Sequence, residues 1–535
     1  MPSTIRAVLF GLLFLALPLP PAPVESLGVP ALDPDFVRGT LNVTIPLPTS
    51  LAFGPDGRLY VATFEDGIWA LTLDPTTQQV LAAEQFASGL RLVLGIAFDP
   101  MAPASPVTVY ASRQEPSATD GFEGVVSRFT APTWTREDVI TGLPTSEPFS
   151  NHYTNGIAFD DKGRLFIAQG SSTDAGLTVA AWPETPLSAA ILVADINAPG
   201  FDGAIVYDPP GPPADDNVSQ MSGDVAVYAP GLRNPYDLVL HSNGHIYATD
   251  NGAMGGAFSI SCTESDSFSS VTDELNLIEE GNYYGHPNRN RGLGIPDPRQ
   301  CTYHSPEEGD GADFTGPISI LPEHCSCDGI AEYTGAAFDG GMLGDLIYAE
   351  FTRQNVSRAV LSEDGRSVVS LSTLASAFSQ PLDVTVGPDG TIYIAEFGAD
   401  AVSYLAPDSD RDGCADAREL GPNPTLGGQR DPNSFWDFFD VSVAGSPRDG
   451  AVNAFDIGAV VLRFGAFLQP PPAKPEALAQ ALTPPPDATS YHAAYDRGGP
   501  IPGQNLWNLL PPDGAIDAFD IGAVVVQFGH TCVPL

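Results

Sequence analysis

Between about residues 50 and 406 one pattern of apolar and polar positions recurs. An apolar pair is followed by a tight Gly/Asp/Pro turn and then by a run of alternating character. It reads LAFGPDGRLYVA at 51–62, IAFDDKGRLFIA at 157–168, LVLHSNGHIYAT at 238–249 and VTVGPDGTIYIA at 384–395. Looser copies lie at 96–112 and 336–350. Each copy predicts a β-hairpin, because period-two alternation on both sides of an Asp-Gly or Asn-Gly turn suits two antiparallel strands. About six such units predict an all-β chain folded as a six-bladed β-propeller over 27–406, its sheet faces buried by radial packing. A pair of β-sandwiches is the competing architecture.

The character changes after Pro407. Asp408, Asp410, Asp412, Gly413, Asp416 and Glu419 stand at positions 1, 3, 5, 6, 9 and 12 of a twelve-residue calcium loop. Their carboxylates offer hard oxygen ligands, and the glycine allows the sharp turn. The alternative is a solvated acidic linker. Further on, DGAVNAFDIGAVVLRFG (449–465) is echoed by DGAIDAFDIGAVVVQFG (513–529), each a half-loop running into an apolar helix. These copies resemble type I dockerin repeats, so 407–535 is expected to form a small α-helical EF-hand/dockerin-like module. The resemblance implies calcium at Asp449, Asn453 and Asp456, calcium at Asp513, Asp517 and Asp520, and a cohesin-like protein partner. It is imperfect: by direct spacing the first two ligand positions are Gly445 and Pro447 in one copy, Leu509 and Pro511 in the other. A helix-pairing module without metal is the competing reading. Residues from about 469 to 512, rich in Pro and Ala, form an insert between the two units.

Charge narrows the partners. A net charge of −43 argues against nucleic acid and against an anionic membrane surface, and makes calcium the natural counter-ion. The first 26 residues carry Arg6, an apolar stretch at 7–19 and then small and proline-rich residues, the shape of a secretory signal and too short for a membrane span. A secreted protein is expected. Six cysteines in an exported chain predict disulfides. Cys414 is expected to pair with Cys532, while Cys262, Cys301, Cys325 and Cys327 form two bridges in one of three connectivities. A metal held by His324, Cys325 and Cys327 is the alternative for that segment.

The chemistry gathers in the propeller. Arg233 and Asn234 lie side by side in GLRNPYD (231–237), on a loop ahead of a β run. A guanidinium beside a carboxamide can clamp one carbonyl or carboxylate oxygen with several donors. That loop, with DELNLI (273–278), GNYYGHP (281–287), LGIAFDP (94–100) and GDLIY (344–348), resembles the soluble quinoprotein glucose/sorbosone dehydrogenase family, collinearly over about 40–406. The resemblance implies a propeller that binds pyrroloquinoline quinone (PQQ) and calcium and oxidises an aldose hydroxyl. By that resemblance His152 takes the hydroxyl proton, and Arg233 and Asn234 contact the quinone. Gly252 and Ala253 supply backbone oxygens to calcium, with Asp273 and Glu274 as further metal candidates. The chain also departs from the family. A cofactor-reaching lysine is replaced by the neighbourhood Phe351-Thr352-Arg353, where Arg353 could restore one contact. Two arginines are absent from SQPLDV (379–384), and a glutamine is absent before 94–96, though Arg91 is near.

Three functions therefore compete. The first is a secreted PQQ-dependent dehydrogenase acting on a sugar or polysaccharide. The second is a non-catalytic propeller binding glycan or protein. The third is a lactonase-like hydrolase using a calcium-bound water.

Overall fold

The computed structural model describes residues 31–116, 122–145, 152–174, 184–208, 219–253, 272–286, 315–443, 447–483, 485 and 487–532, plus the backbone of Gly256–Ser259 and Ser265–Phe268. Cys262 and Cys301 fall outside these residues, as does the leader-like segment. Six four-stranded antiparallel sheets follow one another along the chain, the six-bladed propeller that the repeats predict. The turn glycines of the four clearest repeats, Gly57, Gly163, Gly244 and Gly390, all have φ between 78° and 86°. That is the left-handed conformation such a hairpin turn demands. In five blades the second strand is buried along its whole length, as in Leu59–Thr63, Leu165–Gln169 and Ile392–Glu396, and in the other, Thr108–Pro116, all but its ends are buried. The outermost strands, such as Val80–Ala87, are largely exposed. Apolar side chains of adjacent blades share cores: Leu51, Leu59 and Leu71 of the first blade pack with Tyr393, Val402 and Tyr404 of the last.

The ring is closed by the N-terminal strand. Phe36–Thr40 pairs antiparallel with Ala401–Pro407, from Phe36 opposite Pro407 to Thr40 opposite Ser403. The last sheet thus joins the two ends of the propeller.

All six innermost strands share one irregularity. In Pro48–Phe53, Arg91–Ala97, Thr154–Phe159, Pro235–Leu240, Cys327–Glu332 and Pro381–Val386 the register against the second strand shifts near the N-terminal end. Such bulges bend the strand and re-aim its side chains. His152, Arg233 and Asn234 immediately precede two of these strands. The larger cavity on the propeller axis, about 320 Å³, is lined by Ser50, Asp237, Leu240, Glu332, Asp383 and Val386. It reaches the C-terminal ends of the inner strands, away from those three residues, so size alone does not mark the site.

Strands end at Pro407 and helices follow: α1 (Asp416–Glu419), α2 (Ala454–Leu462), α3 (Lys474–Ala481) and α4 (Ala518–Val526). Helices α2 and α4 arise from the repeated AFDIGAVV segment and pack on each other. Each starts with a capping box, Asn453 with Asp456 and Asp517 with Asp520. The Pro-rich insert adds Tyr495 and Leu509 to their shared core, beside the expected Cys414–Cys532 disulfide. Among the described residues no helix is long and apolar enough to cross a membrane.

Candidate functional site

His152, Arg233 and Asn234 come together at the N-terminal ends of the inner strands. Asp250, at the end of Ile246–Asp250, accepts the backbone N–H groups of Arg233 (3.0 Å) and Asn234 (2.7 Å). This fixes the loop that carries both side chains. Burial pushes the Asp250 carboxyl up to about 7, against the pull of those two backbone donors. Asn155 donates its amide to Asn234 Oδ1 (3.0 Å) and to the Pro235 carbonyl (2.8 Å), so the Asn234 oxygen faces Asn155.

Gly170 is the meeting point of the two halves of the site. A Cβ placed there would lie 2.7 Å from His152 Cβ and 2.9 Å from Asn234 Oδ1. His152 and the Arg233-Asn234 loop are therefore neighbours across one glycine. Gly170→Ala is expected to push one of them aside and to destabilise the fold by about 1–3 kcal/mol through overpacking. Thermal melts would register this, and an unchanged melting temperature would mean that the contact relaxes freely.

His152 is buried, with Nδ1 2.9 Å from Ser171 Oγ and 3.2 Å from the Ser171 carbonyl. The Ser171 hydroxyl itself donates to the Thr173 carbonyl (2.5 Å), so it accepts from His152 Nδ1–H. That assigns the proton to Nδ1 and the ring's lone pair to Nε2. Burial, followed by the nearby Arg233 charge, pushes the imidazole down to about 3, so the ring is neutral at ordinary pH.

Arg233 is buried and already engaged. Its Nε donates to the Asp174 carbonyl (3.1 Å) and Oδ1 (2.9 Å), Nη2 donates to the same carboxylate, and Nη1 donates to the Asn251 carbonyl (3.0 Å). A small cavity beside it is lined by Asp250, Gly252, Ala253, Glu274, Tyr284 and His286. Asn251 Oδ1 and His286 Nδ1 are buried there with no hydrogen-bond partner. Unsatisfied buried polar atoms are costly, and their convergence on one cavity marks a place for a polar ligand. His286 Nε2 lies 3.3 Å from Glu184, whose carboxylate accepts from Ser172 N, Thr173 N, Thr173 Oγ1 and Ser188 Oγ. Burial opposes the Glu184 charge, but His286 and these donors outweigh it and hold the group down to about 2. Burial pushes the His286 imidazole down, opposed by its contact with Glu184.

The remaining propeller candidates fall as follows. Gly252 and Ala253 line the cavity with Glu274. Asp273 is turned to the backbone: it accepts Gly252 N–H (2.9 Å) and Cys327 N–H (3.2 Å), holding the Gly252 turn against the segment 325–327. Cys325 and Cys327 are bonded to each other, one of the three open connectivities. That pairing competes with the metal alternative for His324, Cys325 and Cys327, whose two sulfurs also lie within ligand distance of the Asp273 carboxylate. Arg353 sits in the turn after Leu346–Glu350, half exposed and paired with Glu350 (3.0 Å), and does not line the cavity. Arg91 stacks on Phe122 with its guanidinium carbon 4.0 Å from the ring centre.

In the C-terminal part, buried Asp410, Asp412 and Glu419 converge with Asp437 from outside the loop, while buried Asp408 accepts the Asp412 (3.2 Å) and Gly413 (2.9 Å) N–H groups. Asp416 instead accepts the backbone and hydroxyl of Ser409 (both 2.7 Å). Gly445 lies outside the described residues. In the two repeats, Asp440 and Asp496 occupy equivalent places ahead of the Asp-Gly pairs. Asp440 accepts Gly450 N–H (2.6 Å) as Asp496 accepts Gly514 N–H (2.8 Å). Asp456 accepts Val441 and Asn453 N–H as Asp520 accepts Arg497 and Asp517 N–H. Asp449 accepts Ala451 N–H and Asp513 accepts Ala515 N–H, both at 3.1 Å. Asn453 and Asp517 cap their helices. Inserts of different length between that Asp and the Asp-Gly pair hid this equivalence from a fixed spacing rule; the recurring Asp ahead of each insert was the available signal. Asp174, Asp250 and His286 were also missed, and of these only His286 lies inside a family-like motif.

Fold and site define a six-bladed propeller enzyme with a polar pocket at the N-terminal ends of its inner strands. The chain belongs to the glucose/sorbosone dehydrogenase family, whose model matches residues 45–402. It is an oxidoreductase of the sugar dehydrogenase kind. Among solved structures, the apo soluble aldose sugar dehydrogenase of Escherichia coli shares the fold at 17% identity, covering 70% of this chain and 99% of that one, with a TM-score of 0.50. The PQQ-bound aldose sugar dehydrogenase of Streptomyces coelicolor matches at 20% identity over 70% of this chain and 99% of its own, TM-score 0.46. The holo PQQ domain of a pyranose dehydrogenase from Coprinopsis cinerea matches at 14% identity over 70% and 98%, TM-score 0.49. None of the curated proteins matches this chain.

Proposed function

We propose that this protein is a secreted dehydrogenase that oxidises a sugar hydroxyl with PQQ and calcium. One observation carries the reading: a neutral buried imidazole and an arginine–amide loop meet across Gly170, next to a cavity with orphaned polar atoms. When bound, PQQ supplies a two-electron acceptor for the hydride leaving the sugar carbon. The residues present suit it: Arg233 and Asn234 would hold its quinone oxygens, and the Gly252-Ala253 turn would offer carbonyl oxygens to calcium. His152 Nε2 takes the hydroxyl proton, while Nδ1–H to Ser171 keeps the ring oriented. The Arg233 cation stabilises negative charge developing beside it.

The Asp174–Arg233 pair favours the second reading, a propeller that binds glycan or protein without PQQ, because it partly neutralises the cation an anionic cofactor needs. Calorimetry with PQQ and calcium decides between them, followed by dye reduction with a panel of aldoses. Saturable PQQ binding with aldose-dependent reduction is expected; no heat of PQQ binding sinks the dehydrogenase reading.

Secretion is supported by the leader-like N-terminus and by the Cys414–Cys532 bridge, which suits an oxidising compartment. Calcium in the tail is supported by the carboxylates of the Asp408–Glu419 loop and by the matched repeats at Asp440, Asp449, Asn453 and Asp456, and at Asp496, Asp513, Asp517 and Asp520. A cohesin-like partner is supported by apolar side chains left exposed around α2 and α4, among them Phe455, Leu462, Phe464 and Phe528.

A further inference from the structure

The loop that follows the closing strand of the propeller holds more than a calcium motif needs. Glu419 is fully buried, yet neither of its carboxylate oxygens has a hydrogen-bond partner. Asp410 Oδ2, Asp412 Oδ2 and Asp437 Oδ1 are likewise buried and unpartnered. One oxygen from each of these four residues lies within 4.8 Å of the others. Converging oxygens with no donors between them are what a hard divalent cation satisfies, and the absence of nitrogen or sulfur ligands favours calcium over softer metals. Asp437 matters because it lies outside the twelve-residue loop. Its Oδ2 accepts Asp431 N–H (2.8 Å), which leaves Oδ1 for the cluster.

The same loop is built into the ring closure. Asp408 directly follows Ala401–Pro407, and its N–H donates to the Asp35 carbonyl (2.9 Å), carrying the ladder with Phe36–Thr40 one step further. Arg411 pairs with Asp35 across the same junction. Ala415 packs into the core shared by the first and last blades, and Arg418 donates to the Thr77 carbonyl (3.3 Å). The ligands therefore lie between the seam of the propeller on one side and the 431–437 segment on the other.

We propose that a calcium ion held by Asp408, Asp410, Asp412, Glu419 and Asp437 clamps the closure of the propeller, coupling metal binding in the tail to the pairing of 36–40 with 401–407. The proposal rests on the calcium reading of the Asp408–Glu419 loop and extends it: the ion serves the catalytic domain's ring as well as the tail. Without the ion, repulsion among five buried carboxylates opens the loop and releases Asp408 from Asp35, and the seam frays first.

The test is hydrogen exchange on the full chain with calcium and with a chelator, alongside equilibrium dialysis for bound calcium. Chelation is expected to speed exchange of amides in 36–40 and 401–407 at least tenfold, while the inner strand 154–159 of the third blade stays protected. Asp437→Asn, and separately Glu419→Gln, should bring the same local loss in saturating calcium, with 154–159 reporting that the propeller is still folded. Calcium bound, with protection gained only beyond residue 408, overturns the clamp but leaves the calcium loop standing. No bound calcium overturns both. A variant with normal calcium-dependent protection of 36–40 removes that residue from the clamp.

Discussion

His152→Ala is expected to lower turnover by about 10²–10⁴-fold, the span that a positioned proton acceptor contributes, and to leave PQQ affinity within a few-fold of the parent. The separation follows from the geometry. The imidazole is oriented by Ser171 and carries its lone pair on Nε2, whereas anion contacts fall to Arg233. Stopped-flow dye reduction with saturating sugar measures the first quantity, calorimetry the second. Because burial and the Arg233 charge hold His152 down to about 3, it is already neutral at pH 5 and its protonation sets in only on the far acid side. The acid limb of kcat/KM assigned to this group should therefore lie below pH 5. A limb near pH 6.5 that disappears in the variant would mean that the ring is far more open to water than its burial implies. Equal turnover in the variant would remove it as the base.

Arg233→Ala is the second large effect. Among the described residues it removes the one buried cation lining the cavity, and it strands the Asn251 carbonyl that it serves. Charge-assisted hydrogen bonds are worth about 1.5–3 kcal/mol each, so losing two to an anionic quinone corresponds to at least a hundredfold weaker binding. Arg233→Lys should recover little, because a single ammonium cannot serve Asp174, Asn251 and a ligand at once. Asp174→Asn should act in the opposite direction and tighten PQQ binding, since its carboxylate now occupies the guanidinium. If Asp174→Asn weakens binding instead, Asp174 is a support for the arginine rather than a competitor. Titrations of the three variants under one salt condition separate these cases.

The two effects rest on residues of different legibility. Blade number was readable because the hairpins are specified locally, four of them by alternation on either side of a turn with a left-handed glycine. Arg233 and Asn234 were readable because they are adjacent in sequence and precede a strand. Asp174 and Asp250 were not: Asp174 reaches Arg233 from the preceding blade, and Asp250 reaches its backbone only through the strand register that sets Asp250 opposite Pro235. Asp437 is a similar case: it joins the Asp408–Glu419 carboxylates from well downstream, and no spacing rule points to it. The cysteine connectivity stayed open for the same reason. Only the fold sets Cys325 against Cys327 and turns both toward Asp273.

Asp440 and Asp496 carry a further lesson. Between each of them and its Asp-Gly pair the chain runs through inserts of different length, 441–448 and 497–512, yet the hydrogen bonds at both ends match one for one. Loop-closure entropy rises only slowly with length, so such a difference costs little. Length can therefore vary inside 441–448 as long as Val441 keeps its N–H on Asp456 and Arg448 keeps its hold on the Asp412 carbonyl. A reporter that changes colour with the geometry of its two anchors, spliced between those residues, would test whether the repeat takes up a metal at all.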